Sequence, residues 1–376
     1  MKDRFLILAP NAFSLINFRA ELINLLFEYD YEIHLVAPNL LPGSSDYFDI
    51  KKEFPFAYTH NSFLSRGSTG AFNNLRTFLS LLKIISDISP KKILSYTIKP
   101  VIFGNIAAKF LLKKHRFVLV TGLGSSFKLL SGRSIKGFVF RLLYRLSLSG
   151  TAKIIFQNPS DREDLKKLKI ITKLDSTEII LGSGIDTQKF SFHEDLSFNR
   201  IRFLFMSRFL TSKGILEFVE ASLLIKAEFP EVQIDIAGWV DQENPDTITD
   251  DFMQLIMDRS EINFLGRVNP LDVIPSCSVF VLPSYREGLP RSVLEAMSIG
   301  RAIITCNVPG CKETVITGKN GFLVDEKSVS GLYEAMKFFA LNPEKAREMG
   351  VVSRKIVEEK FSLDLINKQM INVLNA

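Results

Sequence analysis

The chain has 376 residues, of which 46% are hydrophobic and 23% charged, which is typical of a folded protein of about two domains. Its net charge of +6 is unevenly divided, because residues 1–184 carry a net charge of +12 and residues 185–376 a net charge of −6. The composition excludes a disordered or collagen-like chain, and the basic half predicts an anionic partner.

Short apolar runs alternate with amphipathic segments along the first half of the chain. The apolar runs predict buried strands, and the segments between them predict helices. In chain order we expect strand 5–10, helix 15–28, strand 32–38, helix 72–86, strand 92–96, helix 102–112, strand 117–120, helix 134–148, strand 153–157, helix 160–168 and strand 177–181.

The same alternation begins again in the second half. The expected order there is strand 202–207, helix 212–228 and strands 232–238, 262–264, 278–282, 302–305 and 322–324, with helices between them. Continuous apolar strands joined by helices predict parallel sheets that are covered on both faces. The sequence therefore predicts two doubly wound α/β domains that face each other across a cleft, with ligands at the carboxyl ends of the strands.

Several kinds of site and segment are not expected. Cys277, Cys306 and Cys311 form no CxxC pair, the four histidines are scattered, and no Asp-x-Asp triplet occurs, so we expect neither a disulfide framework nor a metal site. The sequence shows no signal-peptide pattern, and no uncharged apolar run approaches the ~18 residues of a spanning helix. We expect a protein of a reducing compartment that does not cross a membrane.

The segment EGLPRSVLE (287–295) follows an apolar strand. A helix expected over Arg291–Ser298 places Glu287 in the loop before it and Glu295 inside it. A retaining glycosidase pair, about 5 Å apart, is disfavoured because eight helical residues rise about 12 Å. We favour carboxylates that accept hydrogen bonds from the hydroxyls of one ligand. A capped helix with a solvated glutamate is the alternative.

The segment SRFLTSKG (207–214) follows the first strand of the second half. Arg208 offers a planar fork and Lys213 a mobile point charge, which together suit a diphosphate. A helix that starts after Thr211 or Ser212 would add its N-terminal amides. The alternative is a pair of solvated surface cations.

Weaker signals lie in the first half. Lys99, in YTIKP, either faces an anionic substrate or is solvated, and the glycines of VTGLGSSF (120–127) predict a tight turn in the cleft rather than a dinucleotide site. Segment 127–148 interleaves apolar and basic residues, which favours contact with an anionic membrane over nucleic acid; an ordinary helix with a basic outer face is the alternative. Its basic residues are Lys128, Arg133, Lys136, Arg141 and Arg145.

Taken together, these segments resemble the retaining GT-B glycosyltransferases of family 4. SRFLTSKG is similar to the phosphate-binding segment of that family, EGLPRSVLE matches its Glu-x7-Glu pattern, and NVPGCKETVITGKNGFLV resembles the segment that follows. GSGIDTQKF (182–190) resembles the interdomain switch, and FSLDLINKQMINVL resembles the terminal helix that returns to the first domain. TIKPVIFG and TGLGSSF resemble the branch that extends sugars linked to polyprenyl diphosphate.

The resemblance implies two facing Rossmann-like domains: an acceptor-binding domain of residues 1–184, completed by a returning helix over 362–376, and a donor-binding domain of residues 185–361. It implies retaining transfer of a hexose or N-acetylhexosamine from a nucleotide-sugar, with UDP expected, to a lipid-linked saccharide in surface polysaccharide or glycan assembly. The expected partners are the nucleotide-sugar, the lipid-linked acceptor and an anionic membrane surface, without nucleic acid, metal or another cofactor. The expected location is cytoplasmic, peripheral at the inner face of the cell membrane.

Carried onto this sequence, the resemblance assigns roles to single residues. Arg208 and Lys213 neutralise the donor diphosphate, while Glu287 positions the transferred sugar and Glu295 accepts from the ribose hydroxyls. The amides of Gly288 and Leu289 assist Glu287, and the backbone at Arg267 and Val268 holds the base. The acceptor-side candidates are Asn11, Lys99, Gly122 and Gly124.

The sequence departs from the family pattern at two places, and two alternative functions stay open. The first loop, PNAFSLINFR (10–19), lacks the glycines that many family members have, and no histidine falls in the loops expected to line the cleft. An epimerase or phosphorylase of the same fold remains an alternative, although the lysine site that a phosphorylase needs is not identified. A non-catalytic subunit that binds a nucleotide-sugar or a membrane is the other, and the presence of both Arg208 and Lys213 disfavours it.

Overall fold

The computed structural model describes residues 2–64, 70–124, 126–172, 176–193, 200–242, 244 and 246–375. The chain divides into two compact units. Unit 1 comprises the residues up to Ser183 and those from Ile366 onward, and unit 2 comprises Gly184–Leu365. Each unit is built around one sheet.

The sheet of unit 1 has seven parallel strands within the described residues, in the order β3-β2-β1-β4-β5-β6-β7. The strands are β1 (Arg4–Leu8), β2 (Glu32–Ala37), β3 (Tyr58–Asn61), β4 (Lys92–Tyr96), β5 (His115–Val120), β6 (Lys153–Phe156) and β7 (Thr177–Ile179). The helices are α1 (Ala12–Glu28), α2 (Ser45–Glu53), α3 (Ala71–Ile88), α4 (Asn105–Phe110), α5 (Ser126–Ser131), α6 (Ile135–Leu148) and α7 (Pro159–Lys167). The strand order reverses between β1 and β4, so the loops after these strands form the natural ligand position of this sheet.

The sheet of unit 2 has six described parallel strands, in the order β10-β9-β8-β11-β12-β13. The strands are β8 (Arg202–Arg208), β9 (Gln233–Trp239), β10 (Asn263–Gly266), β11 (Val279–Leu282), β12 (Ala302–Cys306) and β13 (Gly321–Val324). The helices are α8 (Ile215–Glu228), α9 (Asp250–Met257), α10 (Pro270–Val273), α11 (Arg291–Ile299), α12 (Val329–Leu341) and α13 (Pro343–Lys360). The order reverses between β8 and β11, which places the ligand position of this unit after these two strands.

Both faces of the unit 1 sheet are buried. On β1, Phe5 and Ile7 lie in one core cluster and Leu6 and Leu8 in another. The first cluster is completed by α1, α2 and the last helix, α14 (Leu363–Asn375), and the second by α3 and α4. Burial on both faces explains why the strands read as continuous apolar runs rather than as alternating ones.

The predicted α/β architecture of two doubly wound parallel sheets is confirmed. The sequence patterns missed α2 and β3, because Ser45–Glu53 is largely polar and β3 is a polar edge strand, YTHN. The helix predicted over 102–112 begins instead as a π-helix at Pro100–Gly104. In the described residues no helix is long and apolar enough to span a lipid bilayer.

A row of polar side chains connects β1, β2 and β3. Arg4 Nε donates to Glu32 Oε1 over 2.9 Å, and His34 Nε2 donates to the same oxygen over 2.9 Å. His34 Nδ1 must then accept, and it lies 3.0 Å from His60 Nε2. Burial, with some repulsion from His34, lowers the pKa of His60 to about 4. His60 is therefore neutral in the folded protein at pH 7.

The depressed pKa of His60 predicts a pH-dependent stability. In the unfolded chain His60 has its ordinary pKa of 6.5, and in the folded protein its pKa is about 4. As far as His60 is concerned, the free energy of unfolding therefore has its full value above pH 6.5 and falls as the pH decreases to about 4. After allowance for the partial exposure of the ring, we expect His60 to account for about 1–2 kcal/mol of this loss. Urea unfolding at several pH values should show a shallower decline for His60→Gln than for the wild type. The matched change in exposed His115 should leave the decline unchanged.

Candidate active site

The two predicted cations of the unit 2 site lie at the end of β8 and in the loop that follows it. Arg208 ends the strand, Thr211–Lys213 form a single 3₁₀ turn, and α8 begins at Ile215. The prediction that the helix starts after Thr211 or Ser212 is wrong. Gly214 adopts a left-handed conformation, with φ of +72°, and separates the turn from the helix. We call residues 211–214 the lysine loop.

Gly214 lets the lysine loop approach the chain that follows β11. A Cβ atom at Gly214 would overlap the carbonyl oxygen of Pro283. Only glycine fits, because the position needs both a positive φ and the absence of a side chain. The two loops that meet here lie on either side of the point where the strand order of unit 2 reverses.

Residues 283–290, which we call the glutamate loop, place Glu287 beside Lys213. The Lys213 ammonium donates to Glu287 Oε1, and both side chains are mostly buried, with 17% and 15% exposure. A buried pair of this kind fixes two long side chains in one geometry. The structure therefore brings together two residues that lie 74 positions apart in the sequence.

Tyr285 fastens the glutamate loop to the lysine loop and to α8. Its backbone N–H donates to the Ser212 carbonyl over 2.9 Å. Its hydroxyl donates to Glu217 Oε1, in the first turn of α8, over 2.6 Å. Burial and the neighbouring Glu217 carboxylate both raise the pKa of Tyr285, so the phenol keeps the proton that it donates.

A third loop, residues 307–313, holds the backbone of Glu287. The Glu287 N–H donates to the Pro309 carbonyl over 3.0 Å. Gly310 has φ of +86°, and a Cβ atom there would overlap the Glu287 carbonyl oxygen. The Gly310 N–H donates to Glu313 Oε2 over 2.8 Å, which closes the turn. We call this segment the glycine loop.

Glu295 lies inside α11, as predicted, but it is not solvated. Its residue is 7% exposed, and its Oε1 accepts from Arg291 Nε over 3.0 Å, one helical turn earlier. Burial raises the pKa of Glu295, while Arg291 and then Lys189 act in the opposite direction. The alternative of a solvated glutamate at this position is therefore wrong. Glu287 lies in the loop before α11, and Glu295 lies within the helix. Gly288 and Leu289, which follow Glu287 in the loop, are half-buried.

The residues expected to hold the base, Arg267 and Val268, directly follow β10. Gly266 ends β10 with φ of +66°, and Val268 is half-buried. The guanidinium of Arg267 lies over the Trp239 ring, 5.0 Å from its centroid. Trp239 ends β9 and pairs in register with Arg208 on β8. The sequence patterns did not single out Trp239.

The acceptor-side candidates of unit 1 follow β1 and β4. The Asn11 side chain caps α1 by accepting from the Ser14 N–H over 2.8 Å. Ser14 Oγ lies 2.8 Å from the hydroxyl of buried Tyr96, at the end of β4. Lys99 directly precedes the π-helix, and burial lowers the pKa of its ammonium group. A π-turn often marks a functional position.

The remaining candidates follow β5. Gly122 and Gly124 have φ of +106° and +47°, so the tight turn predicted from their spacing is present. The Leu123 N–H between them donates to Oδ2 of fully buried Asp161 over 3.2 Å. Asp161, which the sequence patterns did not single out, therefore anchors this turn to the start of α7.

The basic residues of segment 127–148 divide into two groups. Arg141 Nη1 donates to the Leu130 and Gly132 carbonyls over 2.7 and 2.5 Å, so this guanidinium binds the end of α5. The other four predicted membrane contacts are exposed, namely Lys128, Arg133, Lys136 and Arg145.

Known families match nearly the whole length of this chain. The family described as "Glycosyl transferases group 1" matches residues 186–355, and the family described as "Glycosyl transferase 4-like" matches residues 7–158. The chain is a glycosyltransferase with one domain of each of these families. Its two sheets are those of the GT-B fold, and its activity is that of a hexosyltransferase.

Curated relatives and solved structures share this organisation. The glycosyltransferase is 29% identical over 349 residues to the N,N'-diacetylbacillosaminyl-diphospho-undecaprenol alpha-1,3-N-acetylgalactosaminyltransferase of Campylobacter jejuni, covering 89% of this chain and 88% of that one. It is 25% identical to the UDP-Gal:alpha-D-GlcNAc-diphosphoundecaprenol alpha-1,3-galactosyltransferase of Escherichia coli, covering 70% of each chain. Anabaena HepE, solved with UDP and glucose, has the same fold, with a TM-score of 0.76, 16% identity and 99% of each chain covered.

The glycine loop generates a prediction for this glycosyltransferase. Gly310→Ala adds a methyl group that must displace the Glu287 backbone, so we expect the rate of glycosyl transfer to fall about tenfold or more. Gly318→Ala is the matched control, because Gly318 has a similar φ of +78° but nothing within 4 Å of its Cβ position. The control should lose about 1 kcal/mol of stability through backbone strain and keep its activity. Equal activities of the two variants would show that Glu287 does not need this support.

Proposed function

We propose that this glycosyltransferase moves a hexose or an N-acetylhexosamine from a UDP-sugar to a saccharide carried on polyprenyl diphosphate, with retention of the anomeric configuration. The observation that carries the proposal is the Lys213–Glu287 pair, together with Arg208 at the end of β8, at the point where the strand order of unit 2 reverses. Such an edge is where open α/β sheets bind ligands. The names of the Campylobacter and Escherichia coli relatives, both of which act on diphospho-undecaprenol saccharides, support the acceptor class.

The proposed mechanism is electrostatic. The bond between the sugar and the diphosphate breaks as the acceptor hydroxyl forms the new glycosidic bond, and negative charge develops on the leaving phosphate oxygen. Arg208 and Lys213 stabilise this charge without a metal ion, because their positive charges are fixed before the reaction. Attack from the face that the diphosphate leaves gives retention, with the acceptor proton passing to the leaving phosphate. Glu287, held by Lys213, accepts hydrogen bonds from the sugar hydroxyls.

The donor assignment supports a direct prediction. Arg208→Ala and Lys213→Ala should each lower kcat/KM about 30-fold or more, since loss of one charged partner costs about 2–5 kcal/mol. Release of nucleoside diphosphate would be measured against a panel of UDP-, GDP- and ADP-sugars, with a lipid-linked saccharide as acceptor. Exposed Lys355→Ala, also in unit 2, is the charge-matched control. Wild-type turnover by both site variants would contradict the assignment.

A surface of unit 1 supports the proposal that the enzyme works at an anionic membrane. Helix α6 exposes a stripe of apolar side chains, with 83% exposure at Ile135, 60% at Phe138, 47% at Leu142 and 44% at Leu146. Helix α4 packs against both α6 and α3, and α3 exposes Phe72, Leu75 and Leu79. Residues 88–160 contain 13 Lys or Arg and no acidic residue. Apolar insertion together with basic charge is the pattern of a peripheral membrane surface. We place the enzyme at the cytoplasmic face of the cell membrane.

Vesicle binding tests this surface. We expect Phe138→Asp combined with Leu142→Asp to abolish co-sedimentation with vesicles that contain phosphatidylglycerol, because the apolar stripe then carries charge. Leu341→Asp combined with Val351→Asp changes two exposed apolar residues of unit 2 and should bind as the wild type does. Changing Lys128, Arg133, Lys136 and Arg145 to Gln should remove the salt-sensitive part of binding. Unaltered binding by both sets of unit 1 variants would refute the membrane assignment.

A further inference from the structure

Arg208 has a carboxylate partner in its own unit. Arg208 Nη1 lies 2.7 Å from Asp241 Oδ2, with the two side chains 36% and 16% exposed. The Asp241 carbonyl accepts from Thr247 Oγ1 over 2.5 Å and from the Asn244 N–H over 2.8 Å. These bonds hold the backbone of Asp241, so the carboxylate is placed against Arg208 by the fold.

A second carboxylate after β9 binds the lysine loop. Asp246 Oδ2 accepts from the Ser212 N–H over 3.0 Å, and the Asp246 carbonyl accepts from the Thr211 N–H over 2.8 Å. Thr247 forms an antiparallel bridge with Leu210. Asp246 and Thr247 therefore lie along the lysine loop, and the carboxylates of Asp241 and Asp246 bind Arg208 and the Ser212 amide, in the region that is proposed to receive a diphosphate.

At the proposed diphosphate site of unit 2, the positive side chains are accompanied by negative ones. Arg208 is paired with Asp241 and Lys213 with Glu287, and a third carboxylate, that of Asp246, accepts from the backbone N–H of Ser212. A diphosphate that binds Arg208 must share it with Asp241. The diphosphate prevails, because it carries more charge and accepts two hydrogen bonds from one guanidinium, whereas a partly exposed ion pair contributes little. Its affinity is nevertheless lower than it would be without the competitor.

The competition has its main consequence after transfer, when the product must leave. A free nucleoside diphosphate carries more negative charge than the same diphosphate esterified to a sugar, so Arg208 and Lys213 hold the product more tightly than the donor. A carboxylate that recaptures Arg208 weakens the binding of both and stabilises the enzyme without ligand. We propose that Asp241 is a built-in competitor for Arg208 that speeds the release of nucleoside diphosphate. This inference rests on the donor site proposed above.

The experiment uses the only tryptophan of the chain as its reporter. Trp239 is 40% exposed, stacks with Arg267 and pairs in register with Arg208, two residues before Asp241. Its fluorescence would be followed during titration with UDP, GDP and ADP, and during stopped-flow displacement of the bound nucleotide. Calorimetry with the same nucleotides gives an independent affinity.

Asp241→Asn should bind UDP about two- to fivefold more tightly than the wild type, with a correspondingly slower dissociation rate. Asp241→Glu, which keeps the charge, should restore affinity towards the wild-type value. Asp251→Asn is the control for net charge, since Asp251 is exposed in the first turn of α9. In an Arg208→Ala background the Asp241→Asn change should have no effect on affinity, which a merely structural role of Asp241 would not predict.

Equal or weaker UDP binding by Asp241→Asn would overturn the inference while leaving the donor site intact, because Asp241 would then position Arg208 rather than compete for it. If Asp241→Asn does not fold, Asp241→Ser provides the same comparison. Absence of binding of all three nucleotides to the wild type would instead remove the proposed donor site, and this inference with it.

Discussion

The arrangement of the unit 2 site depends on two positions where no side chain can be tolerated. Gly214 brings the lysine loop against Pro283, and Gly310 brings the glycine loop against the Glu287 carbonyl. Each glycine has a positive φ, so each also sets the direction in which its loop leaves the contact. Three loops from separate parts of the sequence converge on one carboxylate as a result. The Lys213–Glu287 pair and the Tyr285 hydrogen bonds can form only after the backbones have reached this distance.

The net charge of the protein conceals a difference between its two halves, whose basic residues are proposed to serve different ligands. Unit 2 has cations where the diphosphate is proposed to bind, yet each of them is already hydrogen-bonded to a carboxylate. The basic excess lies in the first half of the chain, where it accompanies exposed apolar residues rather than a nucleotide site. Affinity for the donor is thus proposed to come from a few directed contacts, whereas attraction to a membrane is proposed to come from many diffuse ones.

The sequence was sufficient to predict every described strand except β3, and the order of the motifs, because both depend on local sequence patterns. Buried strands such as Phe203–Phe205 are apolar throughout, and Pro290 marks the change from a loop that contains Glu287 to a helix that contains Glu295. The polar strand β3 carries no such pattern. Asp241 and Tyr285 were missed for a different reason, since their partners lie 33 and 68 positions away and no local periodicity specifies them. The start of α8 shifted because the need for glycine at position 214 arises from contact with a distant loop.

The return of α14 to unit 1 limits how chimeras of related proteins can be constructed. The chain passes from unit 1 to unit 2 after Ser183 and returns after Leu365, so unit 1 is discontinuous in sequence. Ile366, Met370 and Leu374 are buried in the same core cluster as Phe5 and Ile7. A chimera made by a single crossover near position 184 would therefore unite a core from one parent with a closing helix from the other. Exchange of unit 2 alone calls for two crossovers, so that the final eleven residues stay with the parent whose β1 they cover.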